Sequence, residues 1–181
     1  KARLGQVLKE IITRPFLIDK TEQSGQRLSL AGAQNKLPVV LRDDELYEAG
    51  TEPSTHIIKP PHAEQRFPAL VYNEYTCMKA ASMAGLEVAD VELADYLDED
   101  NIETDALLIT RYDRHTTQHG NQHQVKRLHQ EDICQIASIV STLKYEHSGG
   151  PGFKILAEVI RTHCAVPAKD LNELLKRILL T

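Results

Sequence analysis

The feature that most limits the fold is a change of hydrophobic period near Asp113. Ahead of it, apolar residues come in short β-branched runs bounded by turn residues; beyond it they recur every three or four positions. Strands first and helices afterwards is the order of an α+β protein. Leu37 to Leu41 and Glu45 to Glu48, joined by Arg42-Asp43-Asp44, read as a hairpin, and Thr55 to Lys59 as a third strand stopped by Pro60-Pro61. Ala69 to Ala84 reads as a helix ending at Gly85. Val88 to Leu97 and Ala106 to Ile109 complete a sheet of about five strands, while Glu92 to Asp105, with seven acids and no base, reads as a solvated turn. Leu4, Val7, Leu8, Ile11 and Ile12 mark an opening helix ahead of Pro15, and Asp19 to Arg27 a surface loop. Arg114 to Gln124 is polar and His-rich and reads as a linker or long loop. Helical stripes follow at Ile133-Ile136-Ala137-Val140, at Phe153-Leu156-Val159-Ile160 and at Leu171-Leu174-Leu175-Ile178-Leu179.

Composition bounds the class. A chain of 181 residues that is 41% hydrophobic and 26% charged can bury a core as one domain or two small lobes. Cys77, Cys134 and Cys164 are an odd number at wide spacing with no C-x-x-C, which argues against a disulfide framework or a structural zinc site and favours a reducing compartment. No apolar run approaches the ~20 residues of a membrane span, so no membrane association is expected. The net charge of −5 does not suggest a nucleic-acid surface.

Two segments carry candidate chemistry. Lys59 alternates with Ile57 on a strand, which turns a lysine toward an apolar face. Glu74 falls with Val71, Tyr75 and Met78 at i, i+3, i+4 and i+7, inside the apolar stripe of the next helix. A carboxylate facing a core is costly unless paired, and Lys59 is the obvious partner. A strand lysine held by a glutamate of the following helix is how protein kinases grip nucleotide phosphates; alternatively, Lys59 snorkels to water and Glu74 lies at the stripe's edge. The second segment, Ser29 to Lys36, has small residues around Gly32 that let backbone N–H groups approach phosphate oxygens, although it lacks the Walker A pattern and also suits a plain loop before a strand. Ile109 to Arg114 ends the last strand where a kinase hinge would lie, with Tyr112 alternatively capping the core. His115, His119 and His123 would align on a helix, but Gly120 and the polar surroundings argue for a loop and against a metal.

Ser29-Leu30-Ala31-Gly32-Ala33-Gln34-Asn35-Lys36, Gly50-Thr51-Glu52-Pro53-Ser54-Thr55-His56-Ile57-Ile58-Lys59-Pro60, Asn73-Glu74-Tyr75, Arg111-Tyr112-Asp113-Arg114, Arg127-Leu128-His129-Gln130-Glu131-Asp132 and Lys144-Tyr145-Glu146 with Gly149-Gly150-Pro151-Gly152 stand in order along most of the chain. Together they resemble the HipA toxin kinases of toxin–antitoxin systems. The resemblance implies a protein-kinase-like N-lobe over residues 1–113, with a mostly antiparallel sheet, and the first helices of an α-helical C-lobe over 114–181. It implies a bacterial cytoplasmic serine/threonine kinase using ATP and Mg2+ that phosphorylates a translation component such as an aminoacyl-tRNA synthetase. A DNA-binding HipB-type antitoxin would restrain it, with DNA reached only through that antitoxin. Carried over by position, Ala31, Gly32, Ala33, Gln34, Asn35 and Lys36 would form the phosphate-side loop, and Lys59, paired with Glu74, the phosphate lysine. Thr110, Arg111 and Tyr112 would form the adenine-side hinge, and Ser29 would be the autophosphorylated serine. Asn35 stands where the family often has Glu. The family's catalytic loop, of Asn-x-x-Asp-x-His-x-x-Asn type, and its later metal-binding Asp do not occur in these residues. The expectation is therefore the ATP-binding part alone, with no catalytic or metal-binding residue and no activity by itself; the alternative is a non-catalytic, pseudokinase-like module that docks a partner.

Overall fold

Five strands lie in one antiparallel sheet, and their order in space differs from their order in the chain. β1 (Leu37–Arg42), β2 (Glu45–Glu48), β3 (His56–Lys59), β4 (Val91–Leu97) and β5 (Glu103–Thr110) are arranged β2-β1-β3-β5-β4. This computed structural model describes residues 36–42, 45–49, 51–61, 69–97, 103–119 and 122–180. The opening helix and the loop read from the sequence over residues 4–27 lie outside them. The hairpin read from the sequence is present, but β1 runs one residue further than expected, since Arg42 belongs to it and pairs with Glu45. Helix α1 (Leu70–Met83) connects β3 to β4, and Gly85 follows it with φ of 80°, a left-handed conformation that suits a residue without Cβ.

Strand alternation divides the sheet's side chains between two cores. Val39, Ile58, Tyr96, Ala106 and Leu108 cluster on one face, while on the other Val91 and Leu107 pack with Val71 of α1, flanked by Tyr75, Met78 and Ile109. β5 feeds both, so Ala106, Leu107 and Leu108 are all buried in succession. That explains why this strand reads as an unbroken apolar run.

Two sequence expectations are corrected. Arg114 to Gln124 is no linker: β6 (Arg114–His119) and β7 (Gln122–Arg127) form an antiparallel hairpin closed by a two-residue loop, with His119 opposite Gln122. Of the chain's two compact units, the one that holds the sheet also holds Glu87–Leu128, so the hairpin groups with the sheet. Glu92 to Asp105 is not one solvated turn either, since β4 and β5 run through it and Asp95 pairs directly with Asp105. The acids are tolerated because β4 is an edge strand, where charge is common, and because the Tyr72 hydroxyl donates to Asp105 Oδ2 at 2.6 Å.

The second unit is helical. Short α2 (Ile133–Ile136) is capped by Asp132, whose side chain accepts from the Gln135 amide while the Gln135 side chain accepts from the Asp132 amide. Two 3₁₀ turns (Ser141–Leu143 and Glu146–Ser148) lead to α3 (Phe153–His163), which packs on α4 (Pro167–Leu180). The fold is α+β: the five-strand antiparallel sheet with its helix, then helices.

Candidate functional site

β3 carries Lys59 opposite Leu107 and Ile57 opposite Ile109, which turns both toward α1. Glu74 stands one turn after Val71, the buried anchor of that helix. The sheet and helix therefore deliver an ammonium and a carboxylate to one spot. Lys59 Nζ donates to Glu74 Oε1 at 2.5 Å, with the side chains 18% and 27% exposed. Water is partly excluded from the pair, which makes the contact directional. Glu74 fixes the direction of a long, flexible side chain. A lysine held in this way is a preorganised point charge for an anionic ligand.

The exit of β5 is built differently. Thr110 ends the strand, and its amide donates to the Asp90 carbonyl at 2.9 Å; the Arg111 amide donates to the Thr55 carbonyl at 3.0 Å. Asp113 is buried, and its carboxylate takes a bidentate grip from Arg111, Nε at 2.9 Å and Nη2 at 2.8 Å, and a third bond from Arg114 Nη1 at 2.6 Å. Both guanidinium groups then reach buried Ser54: Arg111 Nη1 lies 3.2 Å from its hydroxyl and Arg114 Nε 2.8 Å from its carbonyl. The Arg111 hydrogen bonds hold the Asp113 carboxyl below the usual carboxylate range. Burial beside a second guanidinium pulls Arg114 down from its ordinary value. Tyr112 between them is 73% exposed, so it does not cap the core.

Of the residues singled out by sequence, Lys59 and Glu74 are brought together, and Thr110, Arg111 and Tyr112 are consecutive at the end of β5. Lys36 lies half-buried just ahead of β1. Ser29, Ala31, Gly32, Ala33, Gln34 and Asn35 lie outside the described residues. Sequence reasoning missed the Asp113 network. Its one visible signal was the Arg-x-Asp-Arg spacing, which a surface turn produces equally well. The strand geometry of β6 spreads the histidines: His115 and His119 are about 13 Å apart along it, against about 6 Å on a helix.

A family model described as the HipA-like C-terminal domain matches residues 28–181. A putative kinase, Y4mE, of Sinorhizobium fredii is 41% identical over 176 residues, covering 97% of this chain and 39% of that protein. The serine/threonine-protein kinase toxin HipA of Shewanella oneidensis is 33% identical over 127 residues, 70% of this chain and 27% of that protein. The solved complex of the Shewanella oneidensis toxin–antitoxin system, with HipA, HipB and operator DNA, contains a chain that superimposes with a TM-score of 0.65 at 28% identity, over 84% of this chain and 36% of that one. This chain thus spans about two fifths or less of the length of these relatives.

Proposed function

This chain belongs to the family of HipA-like C-terminal domains, and from that premise we propose that it is the nucleotide-binding part of a serine/threonine protein kinase of a toxin–antitoxin system. The observation that carries the reading is the Lys59–Glu74 pair, a strand lysine fixed by the next helix's glutamate, which is the arrangement that orients nucleotide phosphates in protein kinases. Residues 1–113 supply the nucleotide-side lobe, with the β6–β7 hairpin attached to its sheet, and the later helices begin the second lobe. Lys59 takes the phosphates, Ala31 to Lys36 serve as the phosphate-side loop, and Thr110 to Tyr112 meet the adenine. Because the amides of Thr110 and Arg111 already donate within the fold, base contacts from this segment fall to its carbonyls or to Tyr112. Bound ATP would supply the transferable phosphoryl group and Mg2+ the charge neutralisation. Among the described residues no group of three His, Cys, Asp or Glu side chains is placed to hold a metal ion, so no step is assigned to one here.

The names of the relatives support a toxin kinase that assembles with a HipB-type antitoxin and operator DNA. From the family resemblance alone we propose further a cytoplasmic bacterial toxin that arrests growth by phosphorylating a translation component such as an aminoacyl-tRNA synthetase, with DNA reached only through the antitoxin and Ser29 as its regulatory phosphosite. The test is equilibrium binding of fluorescent ATP to the purified chain. Lys59→Ala should weaken binding by about a hundredfold, as expected for a lost charge-assisted contact worth roughly 3 kcal/mol, with circular dichroism unchanged. Wild-type binding that Lys59→Ala leaves intact overturns the lysine's assignment. No ATP binding by the wild type leaves the partner-docking module as the reading.

A further inference from the structure

Resting on the nucleotide-binding reading above, we propose that Asp113 is a positioning residue that sets where a purine base sits relative to Lys59. Asp113 acts through its neighbours rather than by touching the ligand. Its carboxylate ties together the arginines on either side of Tyr112, and both arginines are anchored on Ser54. Arg111 adds a backbone bond to Thr55. Ser54 and Thr55 lead directly into β3, the strand that ends in Lys59. The segment bearing Tyr112 is therefore fastened to the strand bearing the phosphate lysine by side-chain and backbone bonds at once.

The ladder converts this fastening into a distance. Thr110 pairs with His56, and Lys59 lies three residues further along the same strand, about 10 Å at the rise of a β-strand. That is the order of separation between a purine and the outer phosphates of its nucleotide. An exposed aromatic held between two clamped residues is also a ready platform for a planar base. Stability does not account for the device: a buried carboxylate with two guanidinium groups is commonly no better than apolar residues of the same volume, whereas such groups can specify geometry.

The experiment compares ATP with inorganic tripolyphosphate, which offers the phosphates without the base, on the purified chain. Lys59→Ala should weaken both ligands. Asp113→Asn should weaken ATP by about tenfold or more, as a displaced contact does, and leave tripolyphosphate within about twofold. Ser54→Ala, which removes one anchor and keeps the ion pairs, should shift the same ratio in the same direction by less, and it decides the matter if Asp113→Asn does not fold. Equal losses for the two ligands, or an unchanged ratio in a folded variant, overturn the positioning role while leaving the nucleotide reading intact. A wild-type chain that binds no ATP overturns both.

Discussion

Lys59 and Glu74 are each tolerable against the apolar face of α1 because the other is there. With side chains only 18% and 27% exposed, either one alone would keep a partly dehydrated charge, but remaining contact with water limits the penalty. Glu74→Ala is expected to destabilise the chain by about 1–2 kcal/mol, and a double-mutant cycle with Lys59→Ala to return a coupling of about 1 kcal/mol from urea midpoints; a coupling of zero would mean the contact does not hold in solution. Asp113 predicts a pH dependence. Its carboxyl is held below the usual range, chiefly by the Arg111 hydrogen bonds. The folded state therefore binds this proton less readily than the unfolded state, whose value is about 3.9. The resulting stability is complete above that value and is lost as pH falls toward the lower folded value. Asp113→Asn should cost about 3 kcal/mol at pH 7, since it leaves two buried guanidinium groups without their anion. That deficit should shrink as pH falls below the unfolded value of about 3.9, as read from urea midpoints across pH. At this scale the Lys59–Glu74 pair was legible in the sequence, because a charge inside an apolar stripe demands a partner. The Asp113 network was not, because residues that could each face water leave no such demand.

Among the elements, β5 is the one on which both cores depend. Leu107 is fully buried on the α1 side while Ala106 and Leu108 face the other core, so Leu107→Ala should cost about 3 kcal/mol, measurable as a shift in urea midpoint. At Gly150 the constraint is backbone rather than apolar packing: an added Cβ would overlap the carbonyl oxygens of Leu143 and Tyr145, which close the turn before α3. Neither oxygen is the far end of a flexible side chain, so Gly150→Ala should lower stability by about 2 kcal/mol or more, whereas the same change at an open exposed site would be near neutral. The five strands were legible from short β-branched or continuous apolar runs bounded by turn residues, and α1 from its helix-forming composition ending at Gly85. The β6–β7 hairpin was not: among its polar positions only Val125 is apolar, and its stability comes from a backbone ladder that any side chain permits. Gly120-Asn121, a two-residue turn signal, was the one clue to it.

At the level of the whole molecule, the two compact units differ in how much they bury. The sheet unit contains side chains with no exposed surface, including Val39, Ala106 and Leu107, whereas neither α3 nor α4 contains a buried residue, and Leu179 of α4 is 86% exposed. Local opening should follow that difference. Native-state hydrogen exchange is expected to protect β3 and β5 most strongly and α3 and α4 by at least about 2 kcal/mol less; equal protection would mean that the helices share the sheet's cooperativity. The sequence by itself determined the first five strands and the helices, that this sheet precedes the helices, and that Lys59 and Glu74 are natural partners, because burial selects apolar residues along each element and puts a penalty on solitary charges. Only the tertiary structure decided the strand order β2-β1-β3-β5-β4, the hairpin after β5, and the clamp from Arg111, Asp113 and Arg114 to a serine 57 positions before the first of them. Pairing between polar groups far apart in the chain depends on where the backbone brings them, and that choice leaves no periodic trace in the residues themselves.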